Sequence, residues 1–113
     1  MKFGIGTDIE KASRFRTKNK TFLKKFLSER ELRSIRNRNA GHIAGIFCAK
    51  EAVIKACSEI ERLHFENIEV LHNKNGSPYI MLKGCKKLAS KNIKISISHS
   101  KDYAISTAVL FIN

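Results

Sequence analysis

The sequence predicts a single α+β domain in which an antiparallel sheet packs on one long core helix. One observation is an apolar pattern over residues 40–60, which is long enough for the main helix of a core. Another is a pair of strand-like segments that flank the turn-forming dipeptide Asn75-Gly76. Strands and helices that do not alternate regularly along the chain favour an α+β fold over an α/β fold.

Three short elements are predicted before the long helix. Residues 3–9 have the composition of a strand whose glycines allow another segment to approach the backbone closely. Residues 20–27 have an amphipathic helical pattern with lysines on the outer face. Ser28 and Glu31 match a capping box, in which each side chain accepts from the backbone amide of the other. A second helix, carrying several arginines, should therefore begin at Ser28.

The rest of the chain is predicted as strands with one short helix. The predicted strands cover residues 68–72, 78–82, 93–98 and 103–112. Residues 84–92 are predicted as the short helix. No repeat, low-complexity tract or linker interrupts this pattern, so one domain is expected to cover residues 1–113.

Composition limits the function classes. The chain has 113 residues and a formal net charge of +12, with 22 Lys and Arg against 10 Asp and Glu. A surface this basic favours an acidic partner. No apolar segment is long enough for a signal peptide or a membrane span, so we expect a cytoplasmic protein without a membrane partner. No nucleic-acid motif or NTPase phosphate loop is present, so nucleic acid is not the expected partner.

The cysteines and histidines do not suggest a zinc site, because none of their spacings is typical of one. The three cysteines include no CxxC pair, and an odd count argues against a disulfide framework. Cys48 and Cys57 lie in apolar helical context and are predicted to be reduced core residues.

The predicted long helix contains charges that need an explanation. Glu51, Lys55 and Glu59 are spaced four residues apart, which is typical of a row of surface ion pairs. However, apolar neighbours leave only a narrow polar strip around Glu51, and a partly desolvated carboxylate needs a cation nearby. Asp8, near the end of the first strand, is either a turn or capping residue or a second carboxylate that converges with Glu51 on Mg²⁺.

Polar side chains also interrupt the end of a predicted core strand, in SISHS at residues 96–100. Hydroxyls and an imidazole at a strand end suit phosphate oxygens, and His99 could alternatively move a proton. A structural histidine bonded to a backbone carbonyl is the other interpretation. The residues alone leave these alternatives open.

Four segments together carry a family resemblance. They are GIGTDIE at 4–10, FCAKEAVIKA at 47–56, NKNGSPYI at 73–80 and SISHSKDYAIS at 96–106. In this combination the chain resembles the holo-acyl-carrier-protein synthases, the small bacterial class of 4′-phosphopantetheinyl transferase. The resemblance implies the 4′-phosphopantetheinyl transferase fold. It further implies that the chain transfers 4′-phosphopantetheine from coenzyme A to a serine of apo acyl carrier protein, in fatty acid biosynthesis. It also implies Mg²⁺, release of adenosine 3′,5′-bisphosphate and a homotrimer with active sites between subunits.

The resemblance also implies roles for individual residues. Asp8 and Glu51 would be the metal ligands, and Lys55 would neutralise the pyrophosphate of coenzyme A. His99 with Ser98 would contact coenzyme A phosphates or assist proton transfer. The proton of the carrier's serine would go either to a metal-bound water held by Asp8 or Glu51, or to His99.

Other basic residues would bind substrate or partner. Lys50 would either contact coenzyme A or reach solvent. A basic surface would attract the acidic carrier protein, with Arg14, Lys24 and Arg30 as the main contacts. The wider set of basic residues is Arg14, Lys18, Lys24, Lys25, Arg30 and Arg33. The alternative function is a nonenzymatic basic module that binds an acidic protein or RNA without using Asp8 or Glu51.

Two positions depart from the family pattern. Ile46 stands where a basic residue usually precedes the phenylalanine of the FxAKEA element. The usual glycine-containing turn after the KA pair is replaced by CSEIERLHF at residues 57–65. The wall of the coenzyme pocket should therefore differ from that of the family.

Overall fold

The computed structural model describes residues 2–16, 19–35 and 39–113. The elements in chain order are β1 (Lys2–Lys11), α1 (Lys20–Lys24), α2 (Glu29–Ser34), α3 (Ala40–Cys57), β2 (Ile68–His72), β3 (Pro78–Leu82), β4 (Ile93–Ser100) and β5 (Tyr103–Ile112). Within these ranges, three 3₁₀ helices connect them, at Ala12–Phe15, Phe65–Asn67 and Ser90–Asn92. No helix within the described ranges has both the length and the apolar character needed to cross a bilayer. The α+β prediction is confirmed.

The strands form two antiparallel sheets. In the larger one, β5 lies between β1 and β4, with Asp8 opposite Ser106 and Ser106 opposite Ile97. β2 and β3 form a separate hairpin, and Gly76 in its turn has a φ of +90°, which favours glycine. β1 and β4 are therefore the two edges of the larger sheet.

The long helix α3 packs against all three strands of the larger sheet. Asn39 caps its first turn, since the Asn39 side chain accepts from the His42 amide at 3.0 Å. Most of its residues are buried, including Cys48 and Cys57, which are free thiols as predicted. The helix is thus the centre of the core.

β1 and α3 are in backbone contact at two glycines. A Cβ added at Gly6 would lie 2.0 Å from the carbonyl oxygen of Ala52, and one added at Gly4 would lie 2.0 Å from that of Ala56. Neither position leaves room for a side chain, so the predicted close approach of this strand is confirmed. Asp8 is two residues beyond Gly6 on the same face of β1, which brings it against α3.

A cluster of phenylalanines holds α1 and the 3₁₀ helix Ala12–Phe15 against α3. The rings of Phe15, Phe22, Phe26, Phe47 and Phe65 lie within 5.1 to 6.3 Å of their neighbours, measured between centroids. The predicted capping box is present, with the Glu31 amide 3.1 Å from the Ser28 hydroxyl oxygen. Helix α1 is shorter than predicted and ends at Lys24. Lys18, from the predicted basic set, lies outside the described residues, as do Arg36 and Arg38, two of the arginines of the predicted second helix.

The predicted helix at residues 84–92 is wrong, since only Ser90–Asn92 forms a 3₁₀ helix there. Gly84 has a φ of +69°, which does not fit a right-handed helix. The amides of Lys86 and Lys87 donate to the Glu61 carboxylate at 2.8 Å each. A distant side chain thus satisfies the amides that a helix would have used.

Replacing Gly6 with alanine should lower the free energy of unfolding by about 3 kcal/mol, because its methyl group would overlap the Ala52 carbonyl. The control is Gly41→Ala, whose Cβ would meet only the side-chain oxygen of Asn39 among the described residues, at 3.2 Å. Urea denaturation followed by circular dichroism measures both variants. Unchanged stability of Gly6→Ala would contradict the tight strand–helix contact.

Candidate active site

Asp8 faces α3 from the edge strand β1. Lys55 Nζ lies 3.3 Å from Asp8 Oδ1 and also donates to the carbonyl of Thr7 at 2.9 Å. The other carboxylate oxygen, Asp8 Oδ2, is buried and has no hydrogen-bond partner among the described residues. A buried carboxylate oxygen without a partner is unfavourable unless a cation or a proton satisfies it.

Two further carboxyl groups lie near Asp8. Burial and the Asp8 charge raise the pKa of Glu51, which lies one turn before Lys55 on α3. Burial and interactions with Asp8 also raise the pKa of Glu10 to about 7, although Arg14 opposes this rise. Both carboxyl groups are partly buried and lie close to the Asp8 charge, and a bound cation would offset both effects.

The sequence motifs do not single out Glu10. Its spacing of two residues from Asp8 is the signal that could have found it, because alternate residues of a strand share one face. Arg14 NH1 lies 2.8 Å from Glu10 Oε1, and its guanidinium carbon lies 5.4 and 5.0 Å from the ring centroids of Phe15 and Phe47. Arg14, which was predicted to bind the carrier, therefore lies at the edge of this cluster of carboxylates, and its side chain is 56% exposed.

The donor set fits a hard cation that keeps several waters. Within residues 2–16, 19–35 and 39–113, no three His, Cys, Asp or Glu side chains are arranged as a metal-binding group. Asp8 and Glu51 could still contribute carboxylate oxygens, and Asp8 Oδ2 needs a partner. Mg²⁺ is commonly bound in this way, through one or two carboxylates together with water and substrate phosphates.

The alternative row of surface ion pairs along α3 does not form in the described part of the chain. Lys55 pairs across to Asp8, on β1, instead of with Glu51 or Glu59. The Lys55 side chain is 53% exposed, so its ammonium remains accessible to a ligand beside the carboxylates.

Lys50 is paired inside the core, although it also lines a cavity that Glu51 lines. Its Nζ lies 2.7 Å from Glu31 Oε1 and donates to the carbonyl of Phe26 at 2.6 Å, and the residue is only 1% exposed. The same Glu31 carboxylate accepts from the amides of Ser28 and Val70, at 2.8 and 2.7 Å. The prediction that Lys50 reaches solvent is wrong, because its partner lies in the core. A buried, paired ammonium is also poorly placed for the predicted coenzyme A contact.

The structure does not bring Ser98 and His99 together. Adjacent residues of β4 face opposite sides of the sheet, and His99 faces α3, where a Cβ on Gly45 would lie 3.2 Å from His99 Cε1. Ser98 pairs with Ile105 in the sheet register. His99 is on the edge strand opposite to that of Asp8, so within one chain it does not join the carboxylates.

The predicted docking residues on the first two helices are exposed. Arg30 NH2 is 2.7 Å from Glu69 Oε1, yet the Arg30 side chain remains 55% exposed. Arg30 and, to a smaller extent, the Ser28 hydroxyl lower the pKa of Glu69 to about 2. Lys24 is exposed and lines a cavity of about 630 Å³ that Glu51 also lines. Further basic residues on its wall are Lys25, Arg62 and Lys83. The basic surface is therefore continuous with the carboxylate site.

The sequence of the chain matches a known family. The sequence model of the 4′-phosphopantetheinyl transferase superfamily matches residues 4–108. The chain therefore belongs to the 4′-phosphopantetheinyl transferase superfamily.

Individual relatives narrow the family further. The chain is 38% identical to a holo-[acyl-carrier-protein] synthase of Caldanaerobacter subterraneus, over 96% of this chain and 94% of the relative. It is 41% identical to that of Clostridium perfringens, over 97% and 94%. These relatives place it among the holo-[acyl-carrier-protein] synthases, which are enzymes.

Solved structures agree with this placement. The ACPS–CoA complex of Chronobacterium ammoniagenes is 30% identical, with a TM-score of 0.80 over 100% of this chain and 99% of the other. The holo-[acyl-carrier-protein] synthase of Helicobacter pylori in complex with coenzyme A is 28% identical, with a TM-score of 0.79 over 95% and 99%. The predicted family and fold are confirmed.

Replacing Lys50 with methionine should lower the free energy of unfolding by about 3 to 5 kcal/mol, because it leaves the buried Glu31 carboxylate without its cation. Lys24→Met, which removes an exposed lysine, is the control and should change stability by less than about 1 kcal/mol. Urea denaturation at pH 7 compares the two. Equal stability of the two variants would show that the buried Lys50–Glu31 pair contributes little to the stability of the fold.

Proposed function

We propose that this chain transfers 4′-phosphopantetheine from coenzyme A to a serine of an apo acyl carrier protein. Mg²⁺ is the proposed cofactor, adenosine 3′,5′-bisphosphate the second product, fatty acid biosynthesis the process and the cytoplasm the location. The observation that carries the proposal is the convergence of Asp8, Glu51 and Lys55 around a buried carboxylate oxygen that lacks a partner. Structures of relatives in complex with coenzyme A support the choice of donor.

Asp8 and Glu51 would hold the metal, which when bound neutralises charge on the pyrophosphate. Both residues sit on elements that the glycine contacts fix against each other, so their spacing does not depend on a mobile loop. Lys55 would add a positive charge beside them. The Thr7 carbonyl and Asp8 hold its ammonium at the site. Charge neutralisation of the transferred and leaving groups is the main requirement of phosphoryl-type transfer.

The carrier supplies the attacking serine, so this chain needs no nucleophile of its own. The serine proton must still reach a base. His99 and Asp8 are on opposite edge strands of one chain. Only the His99 of a neighbouring copy of the chain could therefore take that proton. Its role in catalysis thus depends on the proposed assembly.

The basic surface would dock the acidic carrier protein. Lys24 and Arg30 are exposed on the first two helices, and Arg14 lies beside the carboxylates. A positive patch attracts an acidic partner over a distance and orients it. The cavity of about 630 Å³ between this surface and Glu51 offers a path by which the docked serine could approach the site.

An uncovered apolar face supports the proposed homotrimer. Residues on one side of β1 and β5 are apolar and exposed, namely Phe3 at 70%, Ile5 at 75%, Ile9 at 57%, Tyr103 at 44% and Ile105 at 40%. Their alternation with inward-facing residues places them on the sheet face opposite to α3. Such a patch on a soluble protein is typical of an interface, and we propose that two further copies of the chain cover it.

The transfer is tested by incubation with coenzyme A, Mg²⁺ and an apo carrier protein, followed by intact mass measurement of the carrier. We expect a phosphopantetheine adduct. Asp8→Asn and Glu51→Gln should each lower the rate by about 100-fold or more, since each removes a proposed metal ligand. Glu59→Gln, an exposed glutamate near the end of α3, is the matched control and should retain the wild-type rate.

Two results would contradict the proposal. Full activity in folded Asp8→Asn and Glu51→Gln would rule out these residues as metal ligands. A carrier that binds in a salt-sensitive manner but gains no mass, whatever the metal and coenzyme supplied, would favour the nonenzymatic basic module.

The homotrimer is tested by Ile5→Glu, which places a charge in the apolar face of β1. We expect light scattering to give three times the chain mass for the wild type and a lower mass for the variant, because the buried charge would lack a partner. Met81→Glu, at an exposed position on the separate hairpin, is the control and should remain trimeric. A trimeric Ile5→Glu variant would show that this face is not the interface.

A further inference from the structure

Glu10 contacts two parts of the molecule that have separate roles in the proposed function. Its carboxylate accepts from Arg14 NH1 at 2.8 Å, and Arg14 belongs to the proposed docking surface. Glu10 also interacts with the side chain of Asp8, a proposed metal ligand two residues earlier on the same face of β1. Glu10 therefore joins the docking surface to the metal site.

Arg14 is held in place beside Glu10. Its guanidinium carbon lies 5.4 Å from the ring centroid of Phe15 and 5.0 Å from that of Phe47. Both rings belong to the phenylalanine cluster that packs against the core, and a cation over such rings is attracted to them. The Arg14 side chain is nevertheless 56% exposed, so a partner can reach it. The same guanidinium must therefore serve both Glu10 and a docked acidic group.

Glu10 needs a cation, because its side chain is only 13% exposed. Burial and the interactions with Asp8 raise the pKa of Glu10 to about 7, and Arg14 opposes this rise. An acidic partner that draws Arg14 away leaves this partly buried carboxylate without its cation, which is unfavourable. Docking of an acidic carrier is therefore weakened for as long as Glu10 depends on Arg14.

A cation bound at Asp8 and Glu51 removes this penalty, because its charge offsets the neighbouring Glu10 charge as well. We propose that Glu10 is a positioning residue that couples the metal site to carrier docking. It retains Arg14 in the absence of metal and releases it to the carrier when metal is bound. The inference rests on the proposed function, which assigns the metal to Asp8 and Glu51 and the carrier to Arg14.

The coupling acts in both directions. If bound metal strengthens carrier binding by a given factor, the carrier must strengthen metal binding by the same factor. Couplings between two sites are typically about 5- to 150-fold. We expect about tenfold here, near the lower end, because more than half of the Arg14 side chain is exposed and solvent screens the pair.

The experiment is calorimetric titration of the full chain with an apo acyl carrier protein, with and without saturating Mg²⁺. Coenzyme A is left out, so that no transfer occurs, and equal ionic strength keeps the screening the same. A pH of about 8 keeps Glu10 mostly ionised, since its pKa is about 7. For the wild type we expect Mg²⁺ to tighten carrier binding about tenfold.

Glu10→Gln removes the charge of the side chain and keeps an oxygen that can accept from Arg14. Without Mg²⁺ this variant should bind the carrier about tenfold more tightly than the wild type, because Arg14 is no longer paired with a carboxylate. Addition of Mg²⁺ should then change its affinity by less than about twofold. Mg²⁺ titrated into the variant alone should still bind, since Asp8 and Glu51 remain.

Glu29→Gln is the matched control. Glu29 also forms an ion pair with a residue four positions later, Arg33 at 3.9 Å, but this pair lies on α2 and both side chains are well exposed. Its replacement changes the net charge by the same amount and leaves the carboxylates of the site untouched. The variant should keep the wild-type response to Mg²⁺. Any action of Mg²⁺ on the carrier itself is common to all three proteins, because the same carrier is used throughout.

The outcomes separate this inference from the proposed function. An equal Mg²⁺ effect in the wild type and in Glu10→Gln would overturn the inference, because the metal would then act through its general charge. Loss of Mg²⁺ binding by Glu10→Gln would make Glu10 a metal ligand and would also overturn it, as would absence of Mg²⁺ binding to the wild-type chain alone. In each case, transfer in the presence of coenzyme A would leave the proposed function intact. A carrier that neither binds nor gains mass would overturn both.

Discussion

The backbone contact between β1 and α3 is the constraint on which the site depends. Gly4 and Gly6 let β1 approach α3 very closely. A methyl group at Gly4 would overlap the Ala56 carbonyl, and one at Gly6 would overlap the Ala52 carbonyl. At this separation Lys55, on the helix, reaches both Asp8 and the Thr7 carbonyl on the strand. A wider spacing would separate these groups, so the glycines position the proposed site as well as allowing the packing.

Local chemistry made much of the fold predictable from the sequence. The capping box at Ser28 and the hairpin turn at Gly76 depend on residues only a few positions apart, and both are present. The segment at residues 84–92 was not predictable in this way, because Glu61, more than 20 positions earlier, satisfies its amides. Patterns of local sequence carry no information about such distant partners.

The site was predictable only in part for the same reason. Spacing placed Glu51 and Lys55 on one helical face, but the residues alone left the convergence of Asp8 with Glu51 as one of two alternatives, and only the resemblance favoured it. Lys50 is adjacent in sequence yet buried, and its partner Glu31 lies 19 positions away. Helical periodicity does not reveal which of several charges finds a partner inside the core.

The Glu31 carboxylate has a further consequence for the proposed carrier-docking surface. It accepts from Lys50 on α3, from Ser28 at the cap of α2 and from Val70 on β2, so one buried group joins three separate segments. A six-residue helix such as α2 is unstable in isolation. Anchored in this way, α2 cannot fray without separating the Glu31 carboxylate from the buried Lys50 ammonium, which would then lack its counter-charge. We therefore expect α2 and the hairpin to open only together with α3, as one cooperative unit. Binding of a carrier at this surface, as proposed, would then require little ordering of the surface, and less of the binding free energy would be lost to entropy.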